Sequence, residues 1–236
     1  MSPAAWSPGP ILALDTATTV AVVALGRSDG ALLSESRWTA GHRHGEELLV
    51  RIDRLLAEAG TGLPELGAIV VGTGPGAFTG LRVGLATAKG LAHGLGIPIV
   101  GVGTGIALLN ALAGDASTPH ESFALLLPAG PSGRILVDSE GRASMLADDE
   151  AGDILAGLDP RWTAVAIDLA GRAPEDAMAR GELAREGFAR SLLALGAASL
   201  AAGRPGDLAT LVPEYVSLPR GVRAESGEVA WSRDPR

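Results

Sequence analysis

The sequence contains no cysteine and a single lysine, Lys89, and aromatic residues make up only 3% of its 236 residues. The absence of cysteine excludes disulfide bonds and thiolate metal sites. The net charge is −8, and most of the acidity lies in residues 106–236, which hold 19 acidic against 12 basic side chains. Because nucleic-acid binding relies on clustered positive charge, the chain is a poor candidate for gripping RNA or DNA by itself.

Long hydrophobic runs are also missing. No apolar stretch reaches membrane-spanning length without an interrupting glycine or charge, and the first ten residues lack a basic segment followed by an apolar core. We therefore expect a cytoplasmic protein. With 47% hydrophobic and 19% charged residues, the composition is that of a globular protein.

The chain is organised around a strand–loop–helix unit. The β-branched run from Ala68 to Val71 predicts a buried strand, and the glycine-rich turn after it permits positive φ angles. Thr79 predicts the N-cap of a helix that runs to about Leu95. This helix is apolar around most of its circumference, which predicts burial on more than one side.

Small residues recur every four positions along this segment, at Gly76, Gly80, Gly84 and Ala88. Such a stripe lets a second helix approach closely. Two interpretations stay open at this point, ordinary packing inside the domain and contact with another subunit. If the stripe is an interface, Gly84→Leu should cost the isolated fold little and abolish pairing.

The remaining pattern predicts three antiparallel strands from Ile11 to Trp38, then an amphipathic helix over His44–Glu58. The central unit follows, with a further strand and a helix over Thr104–Leu112. The order β-β-β-α-β-α-β-α predicts a layered α/β domain rather than a simple alternating Rossmann unit.

Strands followed by helices recur in the second half, after a polar, turn-rich linker at residues 114–121. There we predict a helix over Phe188–Ala202 and a final edge segment over Leu211–Val216. The predicted organisation is a disordered leader at residues 1–9, an N-terminal lobe at 10–113, a C-terminal lobe at 114–217 and a disordered tail at 218–236.

The sequence lacks the residues that several common kinds of binding and catalytic site require. The turn at residues 72–77 formally matches a dinucleotide-binding pattern, but no acid follows until Asp115, whereas one is needed about 20 residues on. No Gly-Lys-Ser/Thr follows the glycines, which excludes a Walker A loop, and no G-x-S-x-G elbow supports a hydrolase. His42 and His44 have no third ligand at suitable spacing, so we predict no metal site.

Asp15 ends the first strand in a loop, Asp15-Thr-Ala-Thr18, that resembles the first phosphate loop of actin-like ATPases. Those enzymes need a second acidic hairpin, and the comparable hairpin at residues 127–133 has no acid in its turn. ATP turnover by this chain alone is therefore not expected. The structural interpretation makes Asp15 a turn-capping carboxylate.

Arg82 and Lys89 share a helix face and either bind an acidic partner or are solvated.

Two motifs together resemble the bacterial TsaB (YeaZ) family. They are Ile11-Leu-Ala-Leu-Asp-Thr-Ala-Thr18 and Gly74-Pro-Gly-Ala-Phe-Thr-Gly-Leu-Arg-Val-Gly84, and the resemblance extends from Ile11 to about Asn110. It implies an α/β, actin-like fold (the ASKHA, ribonuclease H-like class) of two lobes. It also implies a role in making N6-threonylcarbamoyladenosine in tRNA.

The resemblance further implies a scaffold that binds TsaD and, with it, the ATPase TsaE. Such a chain has no catalytic residue or metal of its own, binds no cofactor alone, meets ATP only in the complex, contacts tRNA indirectly and forms a homodimer in isolation. Pairing would use the helices His44–Ala59 and Thr79–Leu95. The residues predicted to bind the partner are Leu48, Ile52, Leu55, Gly80, Leu81, Gly84, Leu85 and Ala88.

The motif loops are predicted to keep a vestigial phosphate contact. Their residues are Asp15, Thr16, Thr18, Gly74, Pro75, Gly76, Thr79 and Arg82. One departure from the family lies in the second lobe, where Ala129-Gly-Pro131 replaces an Asp-Ala-Arg turn. Two alternatives remain, an actin-like ATPase or small-molecule kinase using Asp15, and a self-dimerising structural module outside tRNA modification.

Overall fold

The computed structural model describes residues 9–40, 44–112, 123–130, 133–146, 155 and 158–216. The predicted tail, the linker, His42, Pro131 and all but the last residue of the predicted leader lie outside these ranges. No helix in the described ranges is long and apolar enough to cross a membrane.

Two sheets hold the described strands. The first contains β1 (Ile11–Asp15), β2 (Val20–Gly26), β3 (Leu32–Thr39), β4 (Ala68–Gly72) and β5 (Ile99–Val102), in the order β3-β2-β1-β4-β5. The second contains β6 (Phe123–Ala129), β7 (Gly133–Val137), β8 (Ala143–Leu146) and β9 (Thr163–Ala166), in the order β8-β7-β6-β9. Each sheet combines antiparallel hairpins with parallel pairing, β1 with β4 in the first and β6 with β9 in the second.

Four α-helices connect and cover these sheets. They are α1 (His44–Glu58), α2 (Phe78–Leu95), α3 (Thr104–Leu112) and α4 (Glu175–Ala201), with a short 3₁₀ turn at Leu63–Glu65. All five residues of β1 and of β4 are buried, as expected for central parallel strands covered on both faces. The predicted mixed α/β architecture is therefore confirmed.

The helices form two layers. One face of the first sheet packs against α1 and α2, and Leu12 and Leu14 of β1 belong to the same core cluster as Leu48 and Leu55 of α1. The other face packs against α3 and α4. The cluster on that side joins first-sheet residues to second-sheet residues, so α3 and α4 lie between the two sheets and the lobes share one hydrophobic core.

Helix α4 begins at Glu175, thirteen residues before the predicted start at Phe188, so that prediction was wrong. Its first half contains Gly181 and Gly187, which lower intrinsic helix propensity and weaken the sequence signal. Both glycines are needed for close packing. A Cβ at Gly181 would lie 1.9 Å from the Ala166 carbonyl oxygen, and one at Gly187 would lie 3.1 Å from Ala111.

The chain after α4 returns to the first lobe. Residues 206–216, called the strap from here on, contain no strand, so the predicted edge segment is wrong as a strand. The strap is tied down instead by single hydrogen bonds, from the Gly206 amide to the Ile99 carbonyl (2.6 Å) and from the Glu214 amide to the Thr73 carbonyl (2.7 Å). The sole lysine, Lys89, donates to the Leu211 carbonyl at 3.1 Å.

Helix α2 starts at Phe78 with Ala77 as its N-cap, two residues before the predicted N-cap Thr79, so that prediction was wrong. No side chain caps this end. The entry of the chain is set by a backbone contact, since the Ala77 amide donates to the Ala17 carbonyl at 2.7 Å. At the other end Gly96 closes the helix in the left-handed conformation (φ 67°).

Close packing of α4 on β4 can be tested at Gly196, where a Cβ would lie 2.3 Å from Val70 Cγ2. Because overpacking strains a core, we expect Gly196→Ala to lower the free energy of unfolding by about 1–3 kcal/mol. The matched control is Gly90→Ala on α2, where a Cβ meets nothing within 4 Å. This variant should gain roughly 0.5–1 kcal/mol from helix propensity. Urea denaturation measures the free energy of unfolding of both variants. Equal stabilisation by the two substitutions would contradict the close packing of α4 on β4 at Gly196.

Candidate functional site

The glycine loop between β4 and α2 lies directly over the end of β1. Asp15 is fully buried there, and its carboxylate accepts hydrogen bonds from the Thr104 hydroxyl (2.6 Å) and the Ala17 amide (2.8 Å). The same Thr104 hydroxyl accepts a bond from the Gly74 amide at 3.0 Å, and the Thr104 amide donates back to the Gly74 carbonyl at 2.7 Å. Asp15 therefore fixes the loop through Thr104.

Glycine is required at three positions of this loop. A Cβ at Gly76 would lie 2.2 Å from the Ala17 carbonyl oxygen. A Cβ at Gly72 would lie 1.6 Å from the Asp15 carboxylate, which no side chain tolerates. Gly74 has φ +107°, outside the range of ordinary L-residues, and precedes Pro75 across a cis peptide bond. The loop is thus shaped by contact with β1.

The threonines of the first motif also point inward. The Thr16 hydroxyl donates to the Gly80 carbonyl at 2.6 Å, and the Thr18 hydroxyl donates to the Val20 carbonyl at 2.9 Å. Both threonines are buried, whereas Thr79 and Arg82 of the second motif are exposed. The buried side chains of the first motif are occupied by internal bonds, and the phosphate contact stays a prediction without support from their geometry.

Burial raises the pKa of Asp15 from its ordinary value of 3.8 to about 6, opposed by the bonds from Thr104 and Ala17. Neither bonding partner is charged, so no described cation is bonded to the carboxylate when it is ionised. The described residues contain no cluster of three or more acidic or imidazole side chains able to hold a metal ion.

The residues predicted to bind a partner occupy the inner faces of their helices. All eight are buried inside this chain, among them Leu48, Gly84 and Ala88. They have no surface left for a partner, so the prediction named the wrong faces of α1 and α2. The expectation for Gly84→Leu was also wrong, because a Cβ there would lie 2.3 Å from the Thr16 hydroxyl and disturb the fold.

The outward sides of α1 and α2 carry a different set of residues, called the outer face. It consists of Leu49 and Val50 on α1 with Ala86, Gly90 and Gly94 on α2. The leucine is 56% exposed and the valine 62%. The space around both glycines is open. Sequence reasoning missed this set because two stripes of small residues run along α2 at the same spacing, and only packing shows which one meets the sheet.

A cleft of about 320 Å³ separates the β1–β2 turn and the glycine loop from the end of β6. It is lined by Ala17, Thr18, Thr19, Gly76, Ala77, Leu127, Pro128, Gly130 and Asp168. A smaller cavity of about 160 Å³ adjoins it and reaches Ala129, Glu214 and Tyr215. Burial raises the pKa of Glu214 above its ordinary value. Both charged residues among these linings are acids, which disfavours a phosphate ligand.

Asp168 closes one end of the cleft and links the two lobes. Its carboxylate accepts bonds from the Thr19 amide (2.8 Å), the Thr19 hydroxyl and the Arg185 guanidinium. Its φ of +59° lies in the left-handed region, which aspartate tolerates better than most residues. Sequence reasoning missed this contact because 149 positions separate Thr19 from Asp168.

At the other end of the cleft the strap meets the first turn of α2. The guanidinium carbon of Arg82 lies 3.6 Å from the centre of the Phe78 ring, and its Nε donates to the Tyr215 hydroxyl at 2.9 Å. The two rings lie 5.2 Å apart. Arg82 was predicted as part of a phosphate loop, and the structure places it in an aromatic contact on the outside of the helix.

The burial of Asp15 leads to a testable prediction about how the stability of the protein depends on pH. Because the folded pKa of Asp15 (about 6) exceeds its ordinary value of 3.8, the folded state holds this proton to higher pH. Its contribution to stability is therefore intact below about pH 4 and falls, by roughly 3 kcal/mol in total, as the pH rises through 6. In Asp15→Asn this fall is absent.

The free energy of unfolding of both proteins, measured by urea denaturation at about pH 4, 5, 6 and 7, checks this. Other carboxyl groups titrate alike in the two proteins, so the difference between the curves isolates Asp15. Parallel pH profiles for the wild type and the variant would show that Asp15 is not held as the structure indicates.

Comparison with known proteins gives consistent matches. The family model described as TsaD, tRNA N6-adenosine threonylcarbamoyltransferase, matches residues 38–179, more than half of the chain. The TsaB protein (tRNA threonylcarbamoyladenosine biosynthesis) of Haemophilus influenzae is 39% identical over 113 residues, 48% of this chain and 45% of that protein. TsaB of Escherichia coli is 39% identical over 94 residues, 40% of each chain.

Among solved structures, YeaZ from Pseudomonas aeruginosa matches with a TM-score of 0.65 and 26% identity, covering 88% of this chain and 99% of that one. This match confirms the predicted two-lobed, actin-like fold. The sequence alignments are shorter, and the chain spans between 22% and 45% of the length of the curated relatives that it matches.

Proposed function

The chain belongs to the TsaD family, as one of its TsaB (YeaZ) proteins, and on that premise we propose that it is the non-catalytic scaffold subunit in N6-threonylcarbamoyladenosine synthesis on tRNA. In this role it binds a TsaD homologue and, together with it, TsaE. Nucleotide would then be bound by the complex, and tRNA would be contacted mainly by the partner.

The observation that carries the proposal is the outer face. Exposed apolar side chains on adjacent helices are typical of protein contact surfaces when they lie together. Here Leu49 and Val50 are exposed on α1, and the adjacent helix α2 carries Ala86, Gly90 and Gly94, three exposed small residues at four-residue spacing. Open space above Gly90 and Gly94 lets a partner helix approach the backbone of α2 closely. We therefore assign partner binding to the outer face in place of the buried residues predicted from sequence.

The geometry of Asp15 favours the scaffold over the ATPase alternative. An actin-like ATPase needs this carboxylate at its nucleotide, whereas here it has no exposed surface and both oxygens accept internal bonds. The acidic lining of the cleft also repels phosphate. A purified chain that hydrolyses ATP, with the activity lost in Asp15→Ala, would reverse this preference.

Partner binding is tested with Gly90→Leu. A leucine here fills the space that a partner helix needs, so we expect the dissociation constant for the TsaD homologue of the same organism to rise about tenfold or more. The fold should survive, because nothing lies within 4 Å of the added Cβ. Light scattering on a size-exclusion column and calorimetry measure the complex.

The matched control is Ala198→Leu, the same kind of change at an exposed position of α4. It should bind like the wild type. Unchanged binding by Gly90→Leu would remove the outer face from the interface, and failure of the wild type to bind TsaD would contradict the scaffold role. Normal levels of the modified nucleoside in cells depleted of this chain would favour the self-dimerising module instead.

A further inference from the structure

We propose that Arg82 is an anchored carboxylate-binding residue, through which the chain contacts an acidic side chain of its protein partner. This inference rests on the proposed pairing through α2. It extends the contact surface from the outer face to the strap and specifies the chemistry that the partner presents there.

The guanidinium of Arg82 is held from two sides although the residue is exposed. It stacks on the Phe78 ring at 3.6 Å, and the Tyr215 ring centre lies 5.8 Å away. The Tyr215 hydroxyl accepts the Nε proton at 2.9 Å, which fixes the rotation of the group. An exposed arginine ordinarily loses much side-chain freedom on binding, and an arginine already held in place loses less.

This arrangement leaves the terminal N–H donors of the Arg82 guanidinium available to a partner. A guanidinium has five N–H groups, and only the Nε proton of Arg82 is bonded to a residue within the described part of the chain. Its two terminal nitrogens form the planar fork that matches a carboxylate with two parallel hydrogen bonds. A lysine at this position could neither stack in the same way nor present the fork.

A protein carboxylate fits this site better than an RNA phosphate. Binding of a nucleic acid relies on several cationic groups along its backbone. On α2 itself Lys89 is already bonded to the Leu211 carbonyl, and among the described residues the charged side chains that line the neighbouring cleft are Asp168 and Glu214. A single preorganised arginine at the edge of an apolar contact is instead typical of a protein interface.

The position of Arg82 connects it to the outer face. Arg82, Ala86 and Gly90 are spaced by four residues and so lie in one row along α2. A partner helix lying over Gly90 therefore extends toward the Phe78–Arg82–Tyr215 cluster. Tyr215 reaches this point from 133 positions away in sequence, which is why the strap must be folded for Arg82 to be held.

The test measures binding to the TsaD homologue of the same organism by calorimetry at two salt concentrations. We expect Arg82→Met, which keeps the apolar stem, to weaken binding about tenfold and to reduce its salt dependence. Arg82→Lys should recover only part of the loss, because it restores charge without the fork. Tyr215→Phe should weaken binding a few-fold, since it frees Nε and leaves the rings in place. Arg190→Met, an exposed arginine of α4, is the control and should bind normally.

The outcomes separate this inference from the proposed function. If the wild type does not bind TsaD, both fall. If the wild type binds and Arg82→Met binds equally well with the same salt dependence, only the inference is overturned. Full recovery in Arg82→Lys would also overturn it, since a point charge would then suffice. Unchanged protein binding together with weaker tRNA binding in Arg82→Met would assign the group to phosphate and overturn it as well.

Discussion

A buried carboxylate with no charged hydrogen-bond partner among the described residues is the constraint around which the first lobe is arranged. Asp15 satisfies its two oxygens with a backbone amide and the hydroxyl of Thr104, and the glycine loop closes so tightly over it that Gly72 has no room for a side chain. Through Thr104 and Gly74 the same contact holds the loop that leads into α2. Asp15 thereby supports the loop that leads into the helix that we assign to partner binding.

The two lobes are less separate than their sheets suggest. Helices α3 and α4 contact both sheets, and one core cluster runs from Ile11 in the first to Val165 in the second. The Asp168 contact with Thr19 and Arg185 adds a polar link at the cleft. Because both links hold the lobes together, the chain is suited to presenting a fixed surface, as a scaffold does, more than to opening and closing around a ligand.

The local sequence pattern predicted most helices and strands well, but it did not predict which helix faces are exposed. The limits of α1 and α3 and the order β-β-β-α-β-α-β-α of the first lobe followed from periodicity and turn signals. The start of α4 did not, since Gly181 and Gly187 serve packing at the expense of helix propensity. Site contacts such as Asp15–Thr104 and Arg82–Tyr215 join residues 89 and 133 positions apart, and no local pattern records such pairs. The choice between the two stripes of α2 likewise depended on packing against β1.

The place of α4 in the shared core also has a consequence for synthesis on the ribosome. The first sheet and α1 to α3 emerge well before α4, and until residues 175–201 leave the exit tunnel one face of that sheet, including Val70, has no cover from this helix. The edge strand β5 gains its hydrogen bond from the strap residue Gly206 later still, because that residue is synthesised after α4. Contacts this distant in sequence form late and leave apolar surface exposed to neighbours in the meantime. The N-terminal lobe therefore exposes more apolar surface during synthesis than it does in the finished chain.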